Sequence, residues 1–145
     1  MIVNKREEFA DSQAVTATAI GSTGVIDLGA SPTLQDVANG KPLFVVFQVD
    51  TAATAAGAAT VTLSVESDST ANLATSATVH ATTEAIGKAT LVAGYKRILA
   101  LPPGRNYERY LGVRFTVATG PLTAGAFSAF LTSEPQNWVA YPAGS

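Results

Sequence analysis

The chain has 145 residues, 9 Lys and Arg against 11 Asp and Glu, no cysteine and a single histidine. That length fits one domain able to bury a sizeable core. The net charge of −2 argues against a nucleic-acid partner held by counterion release, and the lack of cysteine excludes disulfides and Cys-ligated metals.

Taken in order, the chain opens with Met-Ile-Val-Asn-Lys-Arg-Glu-Glu-Phe. This stretch is charged early and lacks the apolar segment of a signal peptide, so synthesis in the cytosol is expected. Residues 1–12 read as a short arm, with one brief helical candidate around Lys5 to Phe9 that is too short to hold alone. Gln13 to Ala19 alternates weakly as a strand, Gly21 to Gly24 is a turn, and Val25 to Leu28 is a short strand. Residues 30–42, with Pro32, Gly40 and Pro42, form a loop. Leu43 to Val49 is apolar on both faces, as in a strand covered on both sides. Asp50 to Ala59 is Ala-, Thr- and Gly-rich and reads as a loop. Thr60 to Ser67 alternates cleanly, with Val61, Leu63 and Val65 inward and Thr60, Thr62, Ser64 and Glu66 outward. Asp68 to Ser76 is a polar loop, and Thr78 to Ala81 is a short strand, an edge candidate. Ile86 to Val92 fits either strand or loop. Arg97 to Leu101 is a strand stopped by Pro102-Pro103-Gly104. From Arg105 to Thr132 the pattern predicts strand, turn and strand, read as an antiparallel hairpin with a long loop. Leu111, Val113, Phe115 and Val117 share one face of its first strand, while Phe127, Ala129 and Leu131 share one face of its second. Residues 134–145 are an aromatic tail interrupted by prolines.

About eight or nine short strands with turns between them indicate an all-β fold: a sandwich, a jelly roll or a barrel. No run of about 18 apolar residues marks a transmembrane helix. Only 14% of residues are charged, against roughly 25% in ordinary soluble domains, so a partner is expected to cover part of the surface.

Catalytic chemistry is hard to assemble from these residues. His80 has no cysteine partner and no second histidine, so a strand histidine at a surface or interface is its expected use. Asp27, Asp36, Asp50, Glu66 and Asp68 lie in separate segments. Glu66-Ser67-Asp68 lacks the spacing of a calcium loop, and the glycines form no phosphate-binding motif. Tyr107, Tyr110, Trp138 and Tyr141 could form a sugar platform, but packing in a core or interface is the expected use. Arg105, Arg109 and Arg114 do not form one stripe; ion pairing is expected, within the chain (with Glu108) or across an interface.

Several stretches, in their order and spacing, carry a resemblance over nearly the whole chain. They are Glu8-Phe9-Ala10-Asp11-Ser12-Gln13-Ala14-Val15, Val25-Ile26-Asp27-Leu28-Gly29, Pro42 to Asp50, and Thr90-Leu91-Val92-Ala93-Gly94-Tyr95. Glu108-Arg109-Tyr110-Leu111, Val117 to Gly125 and Ala140-Tyr141-Pro142 complete the set. The sequence resembles the jelly-roll capsid cement, or decoration, proteins of tailed bacteriophages, of the type found on a Bordetella phage head. The resemblance implies an all-β, single-domain antiparallel β-sandwich of jelly-roll type over residues 13–133, flanked by the arm (1–12) and the tail (134–145). It implies a non-enzymatic virion protein without cofactor or metal, made in the host bacterial cytoplasm and placed on the outer surface of the capsid. Its partners would be the major capsid protein and further copies of itself, a dimer before a trimer, with neither nucleic acid nor membrane.

The expected contacts with the shell are the arm (Ile2, Val3, Phe9), the tail (Trp138, Tyr141) and the almost uncharged loop tip at Pro121 and Leu122. The plain structural alternative for Pro121 and Leu122 is packing over the end of the sandwich. Two other functions stay open at this point. One is a carbohydrate- or receptor-binding β-sandwich module of a phage fibre or adhesin, which needs a flat aromatic row or a calcium site. The other is a small hydrolase, which needs His80 or a carboxylate pair in a cleft.

Overall fold

The structure, a computed structural model, describes residues 5–30 and 37–135. Among the described residues, ten strands follow a 3-10 turn at Lys5–Glu7. They are β1 (Glu8–Ala14), β2 (Ala19–Ile20), β3 (Ile26–Asp27), β4 (Phe44–Thr54), β5 (Thr60–Asp68), β6 (Thr78–Thr82), β7 (Ile86–Gly87), β8 (Lys96–Ala100), β9 (Tyr110–Ala118) and β10 (Ala124–Thr132). One sheet has the order β1-β10-β4-β8; the other has β2-β9-β5-β6, with β3 on β9 and β7 on β5.

The pairings nest along the chain. β5 pairs with β6 and β7, β4 with β8, β2 and β3 with β9, and β1 with β10, all antiparallel. This is one long antiparallel ribbon with its bend between β5 and β6. Rolling it up brings β10 onto β4 and β9 onto β5, which makes the sandwich a jelly roll.

The period-2 pattern becomes the core directly. Val61, Leu63 and Val65 of β5, Leu111, Val113 and Phe115 of β9, and Val45, Phe47 and Val49 of β4 are all at most 1% exposed. Phe47 and Phe127 from one sheet meet Phe115 from the other, with ring centroids 5.4–5.9 Å apart and tilted planes. Such tilted clusters add to the area they bury.

Several sequence expectations are corrected. β9 and β10 are not a hairpin: they sit in different sheets, and the loop between them crosses from one to the other. A run of alternating residues, a turn and a second run looks the same in both cases, because periodicity reports burial and not partner. Residues 50–54, expected as loop, continue β4. The stretch expected as arm contains most of β1, so the sandwich begins at Glu8 instead of Gln13.

Phe9 is fully buried in this core and is not a free contact residue. Its carbonyl accepts the Thr23 N–H at 3.1 Å, and a Cβ on Gly21 would run into that carbonyl. Glycine at position 21 is therefore what lets the first connection close over the strand. Leu122 is likewise a core residue, held by its N–H to the Thr16 carbonyl at 3.0 Å, while the neighbouring Pro121 is exposed. The loop tip packs over the end of the sandwich through Leu122.

Candidate functional site

The two sheets end on the same side in β6 and β8, and these two strands approach one another. Arg97 of β8 and Glu84, which follows β6, cross between them at 2.8 Å. β8 pairs β4 in unbroken register from Phe44↔Ala100 to Gln48↔Lys96, so its other edge is regular, and among the described residues no strand pairs with it. The exposed large apolar residues among the described ones are Val79 of β6, Ile98 of β8, and Val92 in the turn before β8, at 53%, 44% and 53% exposure. Ile98 sits opposite Val46, which sits opposite Phe130, and both of those are buried. An apolar row therefore crosses the outer face of one sheet and emerges into solvent at Ile98.

β6 behaves differently. Val65 pairs with Ala81 and Glu66 with Val79, which leaves His80 as the extra residue of a bulge. A bulge at a sheet edge re-aims a side chain. Here His80 Nε2 lies 2.6 Å from Ser67 Oγ, and its ring stacks on Tyr107 at 4.1 Å between centroids. Ser67 is fully buried, and its Oγ also accepts the Glu108 N–H at 3.0 Å. The Ser67 hydroxyl hydrogen then has one acceptor in reach, His80 Nε2. A hydroxyl donating to Nε2 corresponds to a neutral ring with its proton on Nδ1.

Burial pushes the His80 pKa down, the Arg105 charge adds to that, and Glu108 opposes it. The Glu108 carboxylate itself accepts the Thr78 hydroxyl at 3.0 Å. Tyr107 donates its hydroxyl to the Pro102 carbonyl at 2.7 Å, which fixes the connection from β8 to β9 against this corner. Beside it lies an open cleft of about 400 Å³ lined by Thr78, Val79, His80, Gly104, Arg105 and Asn106. As a nucleophile Ser67 is badly placed, because no substrate carbonyl can approach a hydroxyl without exposure.

The other charged groups hold the fold together. Arg109 grips Asp27 with two hydrogen bonds of 3.0 Å on the surface, and this pairing draws the Asp27 pKa down. Arg114 takes Glu66 at 3.0 Å and donates to the Leu73 carbonyl at 2.6 Å. Arg109 and Arg114 therefore do pair, but with partners distant in sequence instead of Glu108, while Arg105 forms no ion pair within the described residues. The Arg114 pair also explains why Glu66, expected outward, is only 5% exposed. The 69–76 loop folds over that face, and Leu73 lies against Gly112. Asp68 anchors the loop. Burial pushes its pKa up, but the Thr75, Thr70 and Ser69 N–H groups and the Ser69 hydroxyl outweigh that and lower it overall. Asp50 takes Gln48, Ser12 and Ser128 as donors and thereby ties β1, at its bulge, to β4 and β10.

Three of the expected contact residues, Phe9, Pro121 and Leu122, fall among the described residues, and these three do not share one surface. Phe9 and Leu122 belong to the core and Pro121 is exposed at the far end of the sandwich. Ile2, Val3, Trp138 and Tyr141 lie outside the described residues, as does Asp36. Val79, Val92 and Ile98 were missed. A signal was present for two of them: Val79 and Ile98 sit in short strands, and short strands are favoured at sheet edges. Among the described residues Tyr107 is buried and Tyr110 lies under the Arg109 guanidinium, so neither joins a flat exposed row. No group of three His, Cys, Asp or Glu suited to a metal occurs among the described residues.

A family model described as Bbp16 matches residues 9–131, from β1 to the end of β10. No curated protein matches the chain.

Proposed function

The chain belongs to the Bbp16 family, a Bordetella phage-type family, and from that premise we propose that it is a virion structural protein. It is a cement, or decoration, protein that binds the outer surface of a phage head and clamps neighbouring major capsid protein subunits. It acts without catalysis and without a cofactor, as a homo-oligomer, a dimer before a trimer.

The observation that carries this reading is the open β6–β8 side. An unbroken edge such as β8 can extend a neighbour's sheet through main-chain hydrogen bonds, and flanking apolar side chains supply selectivity. Arg97 and Lys96 at that edge discourage indiscriminate pairing. A specific interface buries roughly 1,600 Å² in total. An oligomer touching two capsid subunits forms its second contact at high effective concentration. Modest patches then add up to a clamp.

The test is co-sedimentation with expanded heads that lack the protein. The wild type should bind to saturation, and V79E/I98E should weaken binding at least tenfold with the melting temperature retained, since both side chains are exposed. Wild-type protein left in the supernatant contradicts the proposal.

A further inference from the structure

We propose that the cleft between β6 and the 104–106 turn receives a carboxylate of the protein on which this chain docks, an Asp or Glu side chain held by Arg105, Asn106 and His80. The inference rests on the capsid-binding reading above and names the chemistry of one of its contacts.

Charge complementarity is the first argument. Arg97, Arg109 and Arg114 each pair with a carboxylate of this chain, and Arg6 has a contact of its own. The Arg105 guanidinium, by contrast, makes no hydrogen bond or ion pair within the described residues, and the residue, tied only through its carbonyl to the Tyr107 N–H, lines the cleft. Its nearest acidic neighbour in sequence, Glu108, is turned to the Thr78 hydroxyl. A guanidinium offers a fork of donors that matches a carboxylate and is otherwise left to water.

The second argument is the histidine. Ser67 Oγ engages Nε2, and with the Ser67 hydroxyl as donor the ring proton sits on Nδ1. Nδ1 has no partner within the described residues, yet no unpartnered side-chain nitrogen or oxygen there is buried. Nδ1–H therefore reaches solvent, and His80 lines the same cleft. Asn106, exposed on the same wall, has no partner for its side-chain amide among the described residues either. The charged and titratable groups facing this corner are Arg105 and Glu108 from the 104–109 segment, with Tyr107 stacked beneath the ring. With Glu108 Oε1 taken by Thr78, the free donors on the wall are the Arg105 guanidinium and the Asn106 NH2 group.

The position fits the docking surface. Val79, one of the exposed apolar residues of the β6–β8 side, lines the cleft as well. A carboxylate entering beside it would be desolvated by the same contact that covers Val79.

The test uses the full chain and expanded heads lacking it, immobilised for kinetic measurement. A charge that only steers encounter changes the association rate, whereas a desolvated pair changes dissociation. Arg105→Ala should speed dissociation at least tenfold, and Arg105→Lys, which keeps the charge but loses the fork, at least threefold. Both variants should melt like the wild type, because Arg105 is exposed. An Arg105→Ala dissociation rate within threefold of the wild type overturns the inference while leaving head binding intact. Absence of wild-type binding overturns the capsid reading, and this inference with it.

Discussion

Arg114→Ala separates what the strand pattern implies from what the packing does. By parity in β9, Arg114 points away from the core, and an outward surface arginine is normally worth less than about 0.5 kcal/mol. In the structure its side chain is 28% exposed and pairs with a Glu66 side chain that is 7% exposed. Truncation leaves that carboxylate with the Ser64 hydroxyl alone, and the Leu73 carbonyl loses its donor. Breaking a buried pair from one side costs about 3–5 kcal/mol, and the partial exposure of Arg114 puts the expectation near about 3 kcal/mol. At the entropy typical of folded proteins, that is roughly 10 °C in the melting temperature of a chain this size. Thermal denaturation followed by circular dichroism measures it. Glu66→Leu/Arg114→Met, which removes both charges at similar volume, should recover at least half of the loss. An Arg114→Ala protein that melts within about 2 °C of the wild type would refute the role given to this pair and to the 69–76 loop folded over it.

Two further outcomes follow from the same packing. Phe9→Ala should cost about 3–5 kcal/mol, or about 10–15 °C; unchanged melting with lost head binding would return Phe9 to the contact surface. Neutral His80 binds fewer protons in the folded state than in the unfolded state, so its contribution is complete above its ordinary pKa of about 6.5 and is lost as pH falls below that. Asp27 and Asp68, whose pKa values are lowered from 3.8, lose theirs only in stronger acid. Between pH 6.5 and 5 the wild type should therefore lose melting temperature faster than His80→Gln. Parallel curves would remove the hydrogen-bond assignment of Ser67 and His80.

The core was legible because burial writes itself into alternation. Leu63, Val113 and Phe115 could be placed from their neighbours alone. The pairing of strands was not legible. β9 and β10 are adjacent in sequence but lie in opposite sheets, and only the rolled ribbon as a whole decides that. Glu66 and Arg114 were read outward by parity, correctly. What hid their burial was a loop whose polar composition looked solvent-facing, although Leu73 within it is a buried anchor and Asp68 holds it down. Phe9 was misplaced because the charges before it suggested a free arm, when its own aromatic side chain was the stronger signal. His80 fitted the expectation of a strand histidine, but the bulge that aims it at Ser67 leaves no trace in composition. Thr78 to Ala81 was read as an edge, as β6 is, but β8 was not, since whether a short strand is an edge depends on its neighbours in space.

The central claim, that this protein clamps a shell, is tested most directly by heating expanded heads with and without it and following shell disruption by calorimetry. Saturating protein should raise the disruption temperature of the heads, and V79E/I98E should not at the same concentration. Heads that carry bound protein and still come apart at the temperature of bare heads would contradict the claim.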